Sequence, residues 1–189
     1  SVANYEGIRH FLEELKGLTT QSFADFQINA TCLLFQYELF LFLDKGDFES
    51  CIHLIDEYEI TLYNKFESLN PIRQAELCLY TALVYLGNGN MKRARYFINK
   101  AILDRNLDYL PLSHTIRLVK LMIYYEQGDF DIIRYESRSL KRRFLMDKER
   151  YYQLERYMLS FLNKDSLPIL LQTRQSMWNK LWEQLSALY

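Results

Sequence analysis

The chain has 189 residues, 49% hydrophobic and 15% aromatic, enough to bury a substantial core as one domain. Its 23 Lys and Arg against 24 Asp and Glu leave a net charge of −1, which does not have the basic excess of a general polyanion binder. Leucine occurs 32 times and valine three times, so helix formers abound and strand formers are scarce. No apolar run approaches the length of a membrane span, and the opening SVANYEGIRH lacks the basic-then-apolar plan of a signal peptide. The chain opens on Ser1 rather than Met, as a trimmed chain or a piece of a longer protein would.

In chain order, residues 5–16 predict a short helix ending near Gly17, the trailing half of a degenerate repeat. Residues 19–22 offer cap side chains for a second helix, rich in Phe and Leu, that runs to about Leu43, with residues 48–66 as its partner. Residues 77–103, LCLYTALVYLGNGNMKRARYFINKAIL, are the clearest unit. Before the break, Ile72, Ala75, Cys78, Leu79, Ala82, Leu83 and Leu86 form one stripe of a 3.6-residue helix. After it, Met91, Ala94, Phe97, Ile98, Ala101 and Ile102 restore the stripe. Gly87, Asn88, Gly89 and Asn90 supply the turn between them, so the two helices pair antiparallel. Residues 113–144 repeat the plan, and residues 148–162 form a helix with Tyr151, Leu154, Met158 and Phe161 on one side. A break at 163–165 leads to a last helix near Pro168, whose Leu170, Met177, Trp178, Leu181, Trp182 and Leu185 would cover the end of a stack.

Several markers share one period. Gly46-Asp47-Phe48, Gly89-Asn90-Met91 and Gly128-Asp129-Phe130 are the same Gly-polar-apolar turn. Four residues before each glycine stands an aromatic (Phe42, Tyr85, Tyr124), and five after it a small or aliphatic residue (Cys51, Ala94, Ile133). Pro71 and Pro111 open the first helices of successive repeats, where a missing N–H costs little.

Over residues 21–144 this pattern resembles the tetratricopeptide (TPR) repeat, best in residues 78–101, where Tyr85, Gly89, Ala94, Ile98 and Ala101 fit the family's aromatic and small positions. The departures are a period near 40 residues and the replacement of the first-helix tryptophan by Phe35, Cys78 and Arg117. The resemblance implies an all-α fold, antiparallel helix pairs stacked as a right-handed TPR-like solenoid. Repeats would lie at 21–70, 71–111 and 112–147, with 148–189 as a C-terminal helix pair and cap. It also implies a concave face lined by Leu33, Gln36, Phe40 and Leu43, then Glu76, Leu79, Leu83 and Leu86, then Thr115, Leu118, Met122 and Tyr125. These carry no Lys, so the carboxylate clamp of peptide-gripping relatives is not expected. The expected function is a scaffold binding a partner peptide or helix through Leu79, Leu83, Leu86, Leu118, Met122 and Tyr125.

Charge suggests an alternative. Residues 1–70 hold 12 Asp and Glu against 4 Lys and Arg, whereas residues 71–160 hold 10 against 16. The basic excess gathers over residues 134–156, with Arg138, Lys141, Arg142, Arg143, Lys148 and Arg150 as candidates for a nucleic acid or another polyanion. Asp147, Glu149 and Glu155 interrupt it, as they would a solvated helix face.

No catalytic constellation assembles from the residues. His10, His53 and His114 lie far apart without metal-ligand spacing, and Cys32, Cys51 and Cys78 fall on apolar faces as small hydrophobes. An odd cysteine count without paired spacing fits a reducing, cytoplasmic setting. No glycine-rich phosphate loop or nucleophile elbow is present, so neither a cofactor nor an enzyme is expected. Trp178 and Trp182, one turn apart, read either as packing for the cap or as an anchor for a partner or a homodimer.

Overall fold

The computed structural model describes residues 5–19, 23–101, 111–146, 153–162 and 171–186. The described residues are all-helical, with no strand among them. The helices are α1 (Tyr5–Thr19), α2 (Ala24–Leu43), α3 (Phe48–Glu57), α4 (Pro71–Gly87), α5 (Met91–Ala101), α6 (Pro111–Gln127), α7 (Phe130–Met146), α8 (Gln153–Leu162) and α9 (Leu171–Ser186). A 3-10 turn spans Tyr63–Ser68. Two compact units are present, residues 1–116 and 117–189, where the sequence reading treats the chain as one domain.

The three glycine turns share one backbone. Gly46, Gly89 and Gly128 take φ of 68°, 75° and 77°, left-handed values that a side chain would strain. In each, the residue after the glycine donates its N–H five residues back to the carbonyl of the marker aromatic: Asp47 to Phe42, Asn90 to Tyr85, Asp129 to Tyr124, at 2.8–3.0 Å. That is the long bond of a helix C-terminal glycine motif, and it explains why the aromatic-to-glycine spacing is fixed. The same residue then caps the next helix. Asp47 Oδ1 accepts from the Ser50 N–H at 3.1 Å, and Asn90 Oδ1 from the Arg93 N–H at 3.1 Å. Cys51, Ala94 and Ile133, five residues after each glycine, are fully buried.

In unit 1, α2 is the central element. It packs against α1, α3, α4 and the 3-10 turn, so Ile28, Cys32, Phe35 and Leu39 are buried on one face and Ala30 and Leu34 on others. Burial on more than one face explains a composition that a one-stripe helix would not have. It also corrects the expectation about apolar runs: residues Phe26–Leu43 are long and apolar enough to cross a membrane by length and composition, with mean hydropathy 1.3. α4 likewise exceeds its expected stripe, since Leu77, Thr81, Val84 and Tyr85 are buried beside Ala75, Cys78, Leu79 and Ala82. Ile72, placed on the stripe by periodicity, is 43% exposed. α5 keeps a single stripe through Ala94, Ile98 and Ala101. The glycine that ends α4 makes room for the neighbouring pair: a Cβ on Gly87 would overlap the Phe48 ring.

Other boundaries differ from expectation. α1 continues through Gly17 to Thr19. The N-cap of α2 is Phe23, which has no side-chain capping bond, and residues 20–22 lie outside the described residues. α3 stops at Glu57 rather than near Phe66. Asp56 and Glu57 put negative charge on its last turn, where the helix dipole is already negative, and that turn holds no basic residue. The β-branched pair Ile60-Thr61 follows, and the chain resumes as the 3-10 turn that buries Leu62 and Phe66.

In unit 2, Leu118, Leu121, Tyr125, Ile133, Leu140, Leu159, Phe161 and Leu162 form the core. Met122, Phe130, Met177 and Trp178 pack against it half-buried. Tyr151, Leu170 and the break at 163–165 lie outside the described residues, as do the side chains of Leu154, Leu181 and Leu185.

A candidate docking face on unit 1

Helices α2 and α4 meet at residues 40 apart in the sequence. Gln36 Nε2 donates to Glu76 Oε2 at 3.3 Å, and the Phe40 and Tyr80 rings stand edge to face at 4.8 Å. Arg73 closes the polar group, donating from Nη1 to Glu76 Oε2 at 2.6 Å and to Gln36 Oε1 at 3.4 Å. Its charge balances Glu76, so the trio is a satisfied, partly buried network rather than a stranded pair.

From Phe40 the aromatic contacts run outward: to Tyr37 at 6.3 Å and from Tyr37 to Phe11 of α1 at 5.6 Å. Phe11 is 47% exposed and Tyr37 38%. Phe11, Tyr37, Phe40 and Tyr80 therefore make a continuous aromatic band across three helices, bordered by the Gln36–Arg73–Glu76 group. Burial, and secondarily the Glu76 carboxylate, push the Tyr80 phenol up, so it remains a hydrogen-bond donor at neutral pH. Leu83, one turn beyond Tyr80, is half-buried on the same side of α4.

The expected groove residues divide. Leu79, Leu118 and Tyr125 are 2%, 5% and 1% exposed and belong to the cores, so they offer no surface. Leu83, Leu86 and Met122 are half-buried. Periodicity marks Leu79 as a groove residue, but Leu79 lies in the core and its half-buried neighbour Tyr80 is the one that meets Phe40 of α2. The signal that finds it is the offset: adding 40 to Gln36 and Phe40 gives Glu76 and Tyr80.

Between α1, α2 and α3 lies a cleft of about 610 Å³. Leu12, Leu41, Phe42 and Leu54 form its apolar wall, with Glu13, Lys16, Glu38 and Glu57 around it. Lys16 Nζ pairs with Glu38 at 3.2 Å and Glu13 at 3.7 Å, and the Tyr58 hydroxyl donates to Glu38 at 2.8 Å. The hydrogen bond that Lys16 donates to Glu38 is the main cause that raises the Lys16 ammonium. A second cleft of about 540 Å³ includes Tyr63, Tyr85, Arg93 and Phe97, where Arg93 Nη1 donates to the Tyr85 hydroxyl at 2.6 Å.

In unit 2, Arg138, Lys141 and Arg142 are exposed on α7, at spacings that share a helix side. Arg134, one turn earlier, lies 3.8 Å from Asp131. Lys148, Arg150 and the Arg143 side chain lie outside the described residues. The two tryptophans take different roles. Trp178 packs on Phe161 at 4.9 Å and Tyr125 at 6.0 Å, whereas Trp182 is 71% exposed.

Cys32, Cys51 and Cys78 are buried free thiols, and desolvation pushes them up to about 12, 11 and 12. At neutral pH they are protonated packing groups. His10 lies 3.5 Å from Glu14 on an exposed face. Among the described residues no three His, Cys, Asp or Glu side chains group as a metal ion would require. No family model, curated protein or solved structure matches the chain.

Proposed function

We propose that this chain is a non-catalytic protein-interaction module of degenerate TPR-like helix pairs. Unit 1 docks a peptide or helix of a partner protein, and the observation that carries this is the aromatic band Phe11–Tyr37–Phe40–Tyr80, whose Phe11 and Tyr37 rings are exposed and whose Phe40 and Tyr80 rings are half-buried. A monomer gains nothing from leaving such large rings half in water, whereas aromatic anchors at low entropy cost are favoured at interfaces. The adjoining Gln36–Arg73–Glu76 group supplies fixed donors and acceptors for partner backbone. The shared backbone of the three glycine turns supports the repeat reading, and Trp178 on the core of unit 2 supports the role of α9 as a cap. Buried protonated thiols fit a cytoplasmic setting.

The test compares wild type with Phe11→Ser plus Tyr37→Ser and with Arg138→Glu plus Arg142→Glu, in affinity capture from the source lysate. Circular dichroism first establishes that both variants keep their helix content. The reading expects bound proteins to disappear from the aromatic variant and persist with the basic one. The second reading, polyanion binding, is favoured by the exposure of Arg138, Lys141 and Arg142 on one side of α7. It expects the reverse, together with affinity that falls steeply with salt.

A further inference from the structure

The acidic cleft between α1, α2 and α3 is separate from the aromatic band and is argued from different residues. Its wall is apolar: Leu12 and Leu54 are buried, and Leu41 and Phe42 are half-buried and line the opening. Its rim is unevenly charged. Glu38 is held in place by Lys16 and the Tyr58 hydroxyl, which satisfies that pair internally. Lys16 also lies 3.7 Å from Glu13, so the rim sets three carboxylates, Glu13, Glu38 and Glu57, against one ammonium and the His10 ring. Glu13 and Glu57 are exposed, on α1 and α3, and Glu57 has no cationic partner within ion-pair distance among the described residues. The surrounding sequence reinforces this sign, since residues 1–70 carry 12 acids against 4 bases. An anionic rim around an apolar wall attracts a ligand that is cationic on its flanks and apolar in the middle. At about 610 Å³ the opening admits several side chains from one face of a helix.

We infer that the cleft formed by Leu41, Phe42, Leu54, Glu13 and Glu57 docks a basic amphipathic helical segment of a partner protein. The segment's aliphatic side chains pack on Leu41 and Phe42, and its Lys or Arg side chains, a turn or two apart, reach Glu13 on one bank and Glu57 on the other. The inference stands whether or not the aromatic band binds anything, because the band variants leave Glu13 and Glu57 in place.

The experiment uses the whole chain and a fluorescein-labelled synthetic peptide with leucines on one helical face and lysines on the other, read by anisotropy. Glu13→Lys plus Glu57→Lys is compared with Glu126→Lys plus Asp131→Lys, which makes the same charge change on exposed residues of unit 2. The cleft variant is expected to weaken the peptide about tenfold or more, and the control variant about twofold or less. A second peptide, with serines in place of the leucines, is expected to lose binding to wild type because it has nothing to set against the wall. Equal loss in both variants would show diffuse attraction and overturn the inference. So would undiminished binding of the serine peptide. Salt-sensitive self-association of wild type that the cleft variant abolishes would assign the cleft to a second copy of this chain and overturn it as well.

Discussion

The turns that follow α2 and α4 have the same backbone and different side chains, and the helices after them end differently. Gly46 and Gly89 share a left-handed φ, the same five-residue bond back to an aromatic carbonyl and the same cap onto the following helix. Yet the first cap is the carboxylate of Asp47 and the second the amide of Asn90. α5 carries Lys100 in its last described turn, whereas α3 has Asp56 and Glu57 in its last turn and no base there. The turn is thus set by a few adjacent residues, while the charge at the far end of the helix that leaves it differs between the two copies.

The largest way to break this comparison is at the buried position five residues after each glycine. Ile133 fills that position in unit 2, so Ile133→Ala should cost about 2–5 kcal/mol in urea unfolding. Ala94→Ile, which writes the unit 2 residue into unit 1, should cost about 1–3 kcal/mol, because the site is fully buried around a methyl group. If both swaps were neutral, the packing at these turns would not be specific.

Removing the glycines comes next. Gly46→Ala, Gly89→Ala and Gly128→Ala should each cost about 1–2 kcal/mol, because no other atom crowds these positions and the strain is in φ alone. Similar values at all three sites in thermal melts would mark one turn built three times. One free substitution would show that its turn is held differently.

The smallest effect is a pH dependence that separates the twin caps. Hydrogen bonds from the Ser50 side chain and backbone hold the Asp47 carboxyl below its ordinary range. Its folded value is depressed, so its stabilisation is present above the unfolded value and is lost as pH falls through the folded one. Asn90 has no such proton. Hydrogen-exchange protection at Ser50 should therefore drop on acidification below about pH 4 while that at Arg93 holds. Asp47→Asn should flatten the difference, and Asn90→Asp should transfer it to Arg93.

The all-helical class and most helix positions are legible in the sequence because 3.6-residue periodicity and glycine turns are local. The period-marking aromatics and small residues acquire a structural reason in the carbonyls of Phe42, Tyr85 and Tyr124 and the burial of Cys51, Ala94 and Ile133. What was not legible is how many sides of a helix are covered. α2 and α4 are packed on several faces, so a stripe count over-assigns Ile72 to the interior and misses Leu77 and Val84. The same limit assigned Leu79 to a groove, although its side chain is 2% exposed and belongs to the core while the neighbouring Tyr80 is half-buried. The acidic cleft escaped entirely, because it is built by side chains from α1, α2 and α3 that no single periodicity relates.

The docking claim is tested most directly by a photo-crosslinking side chain placed at position 37, and separately at position 138, in cells of the source. The account predicts a discrete protein adduct from position 37 that Phe11→Ser diminishes, and none of that mass from position 138. Adducts from position 138 alone, with position 37 silent in a folded chain, would contradict it and move the binding surface to α7.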